Sequence, residues 1–199
     1  MRLSALGWLA FMALAALVSV VSLMQLGGPL AENMPHIAHY LETWALHVAL
    51  LAHITAGPLA LLLAPLQLIR WIRNRWPWLH RWIGRIYVLS VGLSGSAALV
   101  MLFGFKGSAW ALAGFAVVSV SWLVATWRGY DLARKGQYAA HRRWMIRSIA
   151  LTAAAISLRL IMTPLIMMGW TVVQTYDVTG WASWIVTLTL AEVLIRFRK

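Results

Sequence analysis

The sequence predicts an all-α membrane protein, a polytopic bundle of about six transmembrane helices with both termini in the cytoplasm. Of its 199 residues, 62% are hydrophobic and only 11% carry a charge, and the mean hydropathy is positive. This composition is too apolar for an ordinary soluble globule. Since each span needs about 20 mostly apolar residues, six spans fill the chain, and we expect residues 1–199 to form a single transmembrane domain.

Six apolar runs of spanning length divide the chain, and each predicts one helix. The first run exceeds the roughly 7 to 15 apolar residues of a secretory signal, and no small-residue cleavage site follows it. It is therefore predicted to be an uncleaved helix. The six predicted helices comprise residues 6–26, 44–69, 83–103, 110–127, 144–168 and 181–195.

The distribution of basic residues predicts the orientation. Of the 17 lysines and arginines, only Lys106 and Arg159 do not fall on the cytoplasmic side when the N-terminus is placed inside. Positive residues concentrate on that side of membrane proteins, so the net charge of +12 reports topology and does not indicate nucleic-acid binding. The cytoplasmic set consists of Arg2, Arg70, Arg73, Arg75, Arg81, Arg85, Arg128, Arg134, Lys135, Arg142, Arg143, Arg147, Arg196, Arg198 and Lys199.

Ionisable residues within a span are costly and are functional candidates by default. Arg159 lies about 15 residues into the fifth predicted helix, and His53 lies 16 residues before the end of the second. At 1.5 Å per residue both are more than about 20 Å from the cytoplasmic side. They define a candidate buried layer in the outer half, suited to an anionic or carbonyl-bearing ligand such as a quinone. Glu192, near the cytoplasmic end of the last helix, is expected to pair with Arg196 at i,i+4.

Two histidines open the third and fifth helices in similar surroundings. The segments are His80-Arg-Trp-Ile-Gly-Arg85 and His141-Arg-Arg-Trp-Met-Ile-Arg147, and both start from the cytoplasmic side. Histidines at matched depth on facing helices are what axial ligation of haem iron requires. We therefore predict His80 and His141 as haem-iron ligands, with Tyr87 on the same stripe as His80.

The arginines near these histidines are candidates to bind haem propionates or a quinone, namely Arg85, Arg147 and Arg159. The face of the second helix that carries His53 continues through Gly57, Ala60 and Ala64. A surface of such small residues suits either close helix packing or a flat macrocycle. The chain contains no cysteine, which excludes disulfides, thiol catalysis and Cys-ligated zinc or iron–sulfur centres.

Taken together, these motifs resemble a bacterial membrane-protein family catalogued as domain of unknown function 2306, over about residues 52–165. The segments that carry the resemblance are His53 to Gly57, Ala64-Pro-Leu-Gln67, Leu79 to Tyr87 and His141 to Arg147, with Arg159 downstream. The resemblance implies a multi-pass protein of the bacterial cytoplasmic membrane. The histidine pattern is also partly similar to transmembrane cytochrome b electron carriers, but the fourth helix contains no histidine to complete a second haem site.

The leading hypothesis is a membrane redox protein that binds one b-type haem, or a quinone, between helices 2, 3 and 5. The alternative is a non-enzymatic accessory or assembly subunit of a larger membrane complex, since the loops are short and no soluble domain is present. The expected partners are the lipid bilayer and, under either hypothesis, other membrane subunits or a quinone. The sequence assigns no catalytic residue.

Overall fold

A computed structural model describes residues 5–29, 32 and 35–197. Within this part the chain is helical and contains no β-strand, and six helices are long and apolar enough to cross a membrane. The predicted all-α class with six membrane-length helices is therefore confirmed. Arg2, Arg198 and Lys199, which belong to the predicted cytoplasmic set, lie outside the described residues. The six long helices are α1 (Ala5–Met24), α2 (Trp44–Gln67), α3 (Pro77–Met101), α4 (Ala109–Arg134), α5 (Tyr138–Met167) and α6 (Val172–Arg196).

Four of these helices extend well beyond the predicted apolar runs. α3 and α5 each begin six residues earlier than the hydropathy indicated, α4 ends seven residues later and α6 begins nine residues earlier. Hydropathy detects only the part of a helix that lies in hydrocarbon, whereas backbone hydrogen bonding continues through the flanking polar residues. Local signals set the actual starts: Pro77 opens α3, the Ser108 hydroxyl caps α4, and Thr171 with Gln174 forms a capping box on α6.

The connections between the long helices are brief, except for residues 25–43 between α1 and α2. A short helix, Arg70–Arg75, joins α2 to α3, and 3-10 turns occupy Gln25–Gly27, Pro35–Leu41 and Leu102–Gly104. Two glycines make the remaining turns, because Gly136 (φ 71°) and Gly169 (φ 92°) adopt left-handed backbone conformations that other residues rarely take.

The four central helices form a closed ring. α2 packs on α3, α3 on α4, α4 on α5, and α5 again touches α2. α1 lies outside this ring against α2 and α5, and α6 lies outside it against α4 and α5. α3 and α5 therefore face each other across the diagonal of a four-helix bundle, where they make few close backbone approaches. Side chains projecting from these two helices meet in the centre of the bundle.

Small residues allow the neighbouring helices to approach closely. Ala60 and Ala64 of α2 are fully buried, and a Cβ added at Gly57 would stand 3.1 Å from the Ser94 hydroxyl oxygen of α3. At the α4–α6 contact, a Cβ on Gly114 would stand 2.6 Å from the Gly180 carbonyl oxygen. Of the two interpretations of the small-residue face of α2, the structure shows close helix packing, because α3 covers that face.

The absence of cysteine makes the predicted orientation directly testable with single cysteines. Lys106→Cys lies in the α3–α4 connection and Lys135→Cys in the α4–α5 connection, and both lysines are exposed. With a cytoplasmic N-terminus, a membrane-impermeant maleimide added to intact cells should label the cysteine at 106 and leave the one at 135 unlabelled until the cells are broken. The reverse pattern would show that the basic loops face outward.

Candidate functional site

A hydroxyl network centred on Tyr87 holds the interior of the bundle together. The fully buried Tyr87 hydroxyl lies 2.7 Å from both the Ser148 and the Thr152 hydroxyl oxygens, and thereby bridges α3 and α5 across the diagonal. From α4, the Trp122 Nε1–H donates to the Thr152 hydroxyl at 2.9 Å, and the Thr126 hydroxyl lies 2.6 Å from that of Ser148. Three helices are thus fixed relative to one another by hydrogen bonds rather than by apolar contact alone.

The sequence indicated only part of this network. Tyr87 was expected on the His80 stripe of α3, and Ser148 and Thr152 fall on the face of α5 that carries His141 and Arg159. Trp122 and Thr126 were missed, because a tryptophan and a threonine in an apolar span are usually interfacial or bonded to their own helix backbone. Thr126 does bond the Trp122 carbonyl at 2.7 Å.

His80 and His141 lie on the diagonal helices at one end of the bundle. Each precedes a member of the Tyr87–Ser148 pair by seven residues, which is nearly two full turns, or about 10 Å along the helix. Since Tyr87 and Ser148 are in contact, both histidines lie on the inward faces at matched depth. His80 interacts electrostatically with His141 and Arg73. The structure therefore brings together the two histidines that the sequence paired.

The ring nitrogens of the two histidines differ in their bonding. His141 Nδ1 lies 2.7 Å from the Gly129 carbonyl oxygen of α4. A carbonyl oxygen only accepts, so Nδ1 carries the proton and the lone pair of Nε2 is free in the neutral ring. The Nδ1 of His80 is buried and has no hydrogen-bond partner among the described residues. Such an orphaned polar atom is rare in a folded protein and calls for an explanation.

Gly129 lies where α4 approaches α5 closely. A Cβ at Gly129 would stand 2.6 Å from Met145 Sδ, so a side chain at this position would have to displace the flexible Met145 side chain. The close approach leaves the Gly129 carbonyl within reach of the His141 ring. The backbone of α4 thereby fixes the ring orientation and the tautomer of His141.

The predicted arginines do not all gather at the histidine pair. Arg147 forms a two-pronged ion pair with Glu192 of α6, at 2.5 Å for Nε–Oε1 and 3.0 Å for Nη2–Oε2. The Glu192 partner in the structure is therefore Arg147, not the expected Arg196. Arg85 is exposed and lies 4.9 Å over the Trp82 ring.

A different arginine lies close to His80. Arg73, on the short connecting helix, is half-buried and interacts electrostatically with His80, Arg70 and Arg142. Its pKa lies below the ordinary arginine value because burial and the neighbouring positive charges of Arg142 and Arg70 disfavour its cationic form. An unpaired cationic cluster of this kind attracts anionic groups.

His53 and Arg159 lie in a second polar region, towards the opposite end of the bundle. The His53 Nδ1 lies 3.0 Å from the Ser94 carbonyl oxygen of α3. Arg159 donates from Nη1 to the Ala155 carbonyl at 3.0 Å and from Nη2 to the Ser22 hydroxyl of α1 at 2.9 Å. His53 and Arg159 interact electrostatically. The structure therefore places His53 and Arg159 near each other, together with Ser22, which the sequence did not single out.

The Tyr87 network is expected to contribute measurably to stability. Tyr87→Phe removes one hydroxyl and leaves Ser148 and Thr152 without a partner across the diagonal. We expect a loss of about 1 kcal/mol, the usual order for interhelical hydrogen bonds, and a thermal unfolding midpoint several degrees lower in detergent. The control is Tyr138→Phe, at an exposed tyrosine of α5. Equal midpoints for the two variants would contradict the central role of Tyr87.

Comparison with known proteins gives a family but no characterised relative. The family described as "Predicted membrane protein (DUF2306)" matches residues 50–195. No curated protein and no solved structure matches the chain. The matched region spans α2 from residue 50 onward and most of α6, and it contains every candidate site residue predicted from the sequence, whereas α1 and Ser22 lie outside it. The chain therefore belongs to the DUF2306 family of predicted membrane proteins.

Proposed function

We propose that this protein is an electron-transfer protein of the bacterial cytoplasmic membrane that binds one b-type haem through His80 and His141. The observation that carries the proposal is the presence of two imidazoles, at matched depth on diagonal helices of a four-helix bundle, each with a ring nitrogen to offer. Bundle interiors of this kind are common places for cofactors, with ligands projecting inward from facing helices. When bound, haem supplies a one-electron carrier held within the membrane.

The bonding of His141 supports a ligand role. Metal-binding histidines usually donate their second ring N–H to a carbonyl or carboxylate, which fixes the ring and strengthens the ligating nitrogen. The Nδ1–H bond of His141 to the Gly129 carbonyl has this form. It leaves Nε2 as the nitrogen that would ligate the iron.

The orphaned nitrogen of His80 supports the second ligand. Burial of a ring nitrogen without a partner costs on the order of 1 to 3 kcal/mol, and ligation of iron through His80 Nδ1 would offset that cost. The backbones of α3 and α5 approach each other closely at few positions. The space between these two helices is therefore filled by side chains and, we propose, by the cofactor.

Arg73 is the best-placed arginine for the haem propionates. It interacts electrostatically with His80, whereas two of the predicted arginines are engaged elsewhere. Arg147 is held by Glu192, and Arg85 is exposed beside Trp82. A propionate would relieve the repulsion among Arg73, Arg142 and Arg70. In this proposal Arg85 remains at the rim of the site and Arg147 holds α5 against α6.

The proposal is tested by an absorption spectrum of detergent-purified protein from haem-replete cells, before and after dithionite. We expect a Soret band and sharp reduced α and β bands. Each band should disappear in His80→Ala and in His141→Ala and persist in His47→Ala, whose histidine lies on α2 outside the pair. His141→Met should retain a haem with a raised midpoint potential, because a thioether favours reduced iron.

A featureless spectrum from folded, haem-replete protein would overturn the proposal, as would unchanged bands in both alanine variants. The first of these outcomes would favour the accessory-subunit alternative. In that case, stoichiometric membrane partners should co-purify with the protein while no chromophore does.

A further inference from the structure

Arg159 carries a positive charge inside the bundle without a carboxylate partner. The chain has five acidic residues, and all of them lie in the described part. The ion pairs among the described residues join Lys135 to Asp131 and Arg147 to Glu192. Among the described residues, Arg159 is bonded to two uncharged oxygens, those of Ala155 and Ser22. A charged side chain within a span is expensive unless it is paired, and it marks a ligand site by default.

The hydrogen-bonding capacity of this region is only partly used. A guanidinium has five N–H donors in a fixed fork, of which two are committed to Ala155 and Ser22. His53 Nδ1 lies 3.0 Å from the Ser94 carbonyl oxygen and 3.1 Å from the Ser94 hydroxyl oxygen. With the proton on Nδ1 and donated to the carbonyl, Nε2 is an acceptor in the neutral ring. Arg159 of α5 therefore has guanidinium N–H donors left for a ligand, and His53 of α2 provides one acceptor, its Nε2.

The depth of the two side chains limits what reaches them. α5 has 30 residues and spans about 45 Å, and Arg159 is about 10 Å from its midpoint. α2 has 24 residues, and His53 is about 4 Å from its midpoint. Both distances are less than half of the roughly 30 Å hydrocarbon thickness. A phospholipid phosphate lies in the headgroup layer, outside this depth, whereas a small ring head on an apolar tail dissolves within it.

We propose that Arg159 and His53 form a binding site for the head group of a membrane quinone or quinol. One ring oxygen accepts hydrogen bonds from the Arg159 guanidinium. In the reduced form, a ring hydroxyl donates to His53 Nε2. The apolar tail remains in the bilayer. This site is distinct from the His80–His141 pair, since Arg159 lies 18 residues, about 27 Å, along α5 from His141, and binding there does not require haem.

The test is a titration of purified protein in neutral detergent with a short-chain ubiquinone and a short-chain menaquinone, followed by quenching of tryptophan fluorescence. We expect saturable binding of at least one of the two by the wild type. Arg159→Met and His53→Ala should each weaken it about tenfold or more, the usual effect of losing a hydrogen bond to a charged or buried partner. The matched control is Arg128→Met at an exposed arginine of α4, which should bind within about twofold of the wild type.

Thermal unfolding separates a binding role of Arg159 from a structural one. Because Arg159→Met removes a partly buried charge that has no carboxylate partner among the described residues, its unfolding midpoint without quinone should equal or exceed that of the wild type. The stabilisation that quinone gives to the wild type should be lost in the variant.

Three outcomes would overturn the proposal. They are the absence of saturable quinone binding by the wild type, unweakened binding by Arg159→Met, and a marked loss of stability in Arg159→Met with retained quinone affinity. Displacement of the quinone by phosphatidylglycerol but not by neutral lipid would instead assign the site to anionic headgroups.

Discussion

The rest of this structure depends on one constraint of the bilayer, which is that a polar group in hydrocarbon must find its partner inside the protein. Tyr87 meets this constraint for three helices together. Its hydroxyl joins Ser148 and Thr152, and through them Trp122 and Thr126. Because apolar side chains gain little by leaving lipid for a helix interface, hydrogen bonds and close packing determine which helix faces meet. The ring of α2 to α5 has both, with hydroxyls at its centre and small residues between α2 and α3.

Two polar groups in the structure do not meet this constraint. The Nδ1 of His80 has no partner in the described part of the chain, and the Arg159 charge has no carboxylate. In the same two helices the buried side chains of Tyr87, Ser94, Ser148 and Thr152 all have hydrogen-bond partners. A membrane protein retains such unfavourable groups where they serve a ligand. These unsatisfied groups therefore support two separate proposed sites, the His80–His141 pair at one end of the bundle and Arg159 with His53 deeper within it.

Hydropathy and spacing predicted much of this arrangement, for identifiable reasons. Six spans follow from composition, and the pairing of His80 with His141 follows from two similar segments that enter the membrane in the same direction. Interaction partners on other helices could not be predicted, because spacing along one helix reports only neighbours at i,i+3 and i,i+4. Glu192 illustrates this limit, since Arg196 is the local neighbour whereas the structure pairs it with Arg147 of α5. Trp122 and Thr126 acquire their roles only from the packing of α4 between α3 and α5.

One face of α5 connects the two sites. It carries His141, Ser148, Thr152 and Arg159, separated by seven, four and seven residues, and each interval is close to a whole number of turns. The two central members are bonded to Tyr87, so the rotation of α5 about its axis is fixed at its midpoint. A rotation that broke these bonds would turn His141 away from His80 and Arg159 away from His53 at the same time. The hydroxyl network, which itself touches neither proposed ligand, thereby holds both sites in register through a single helix.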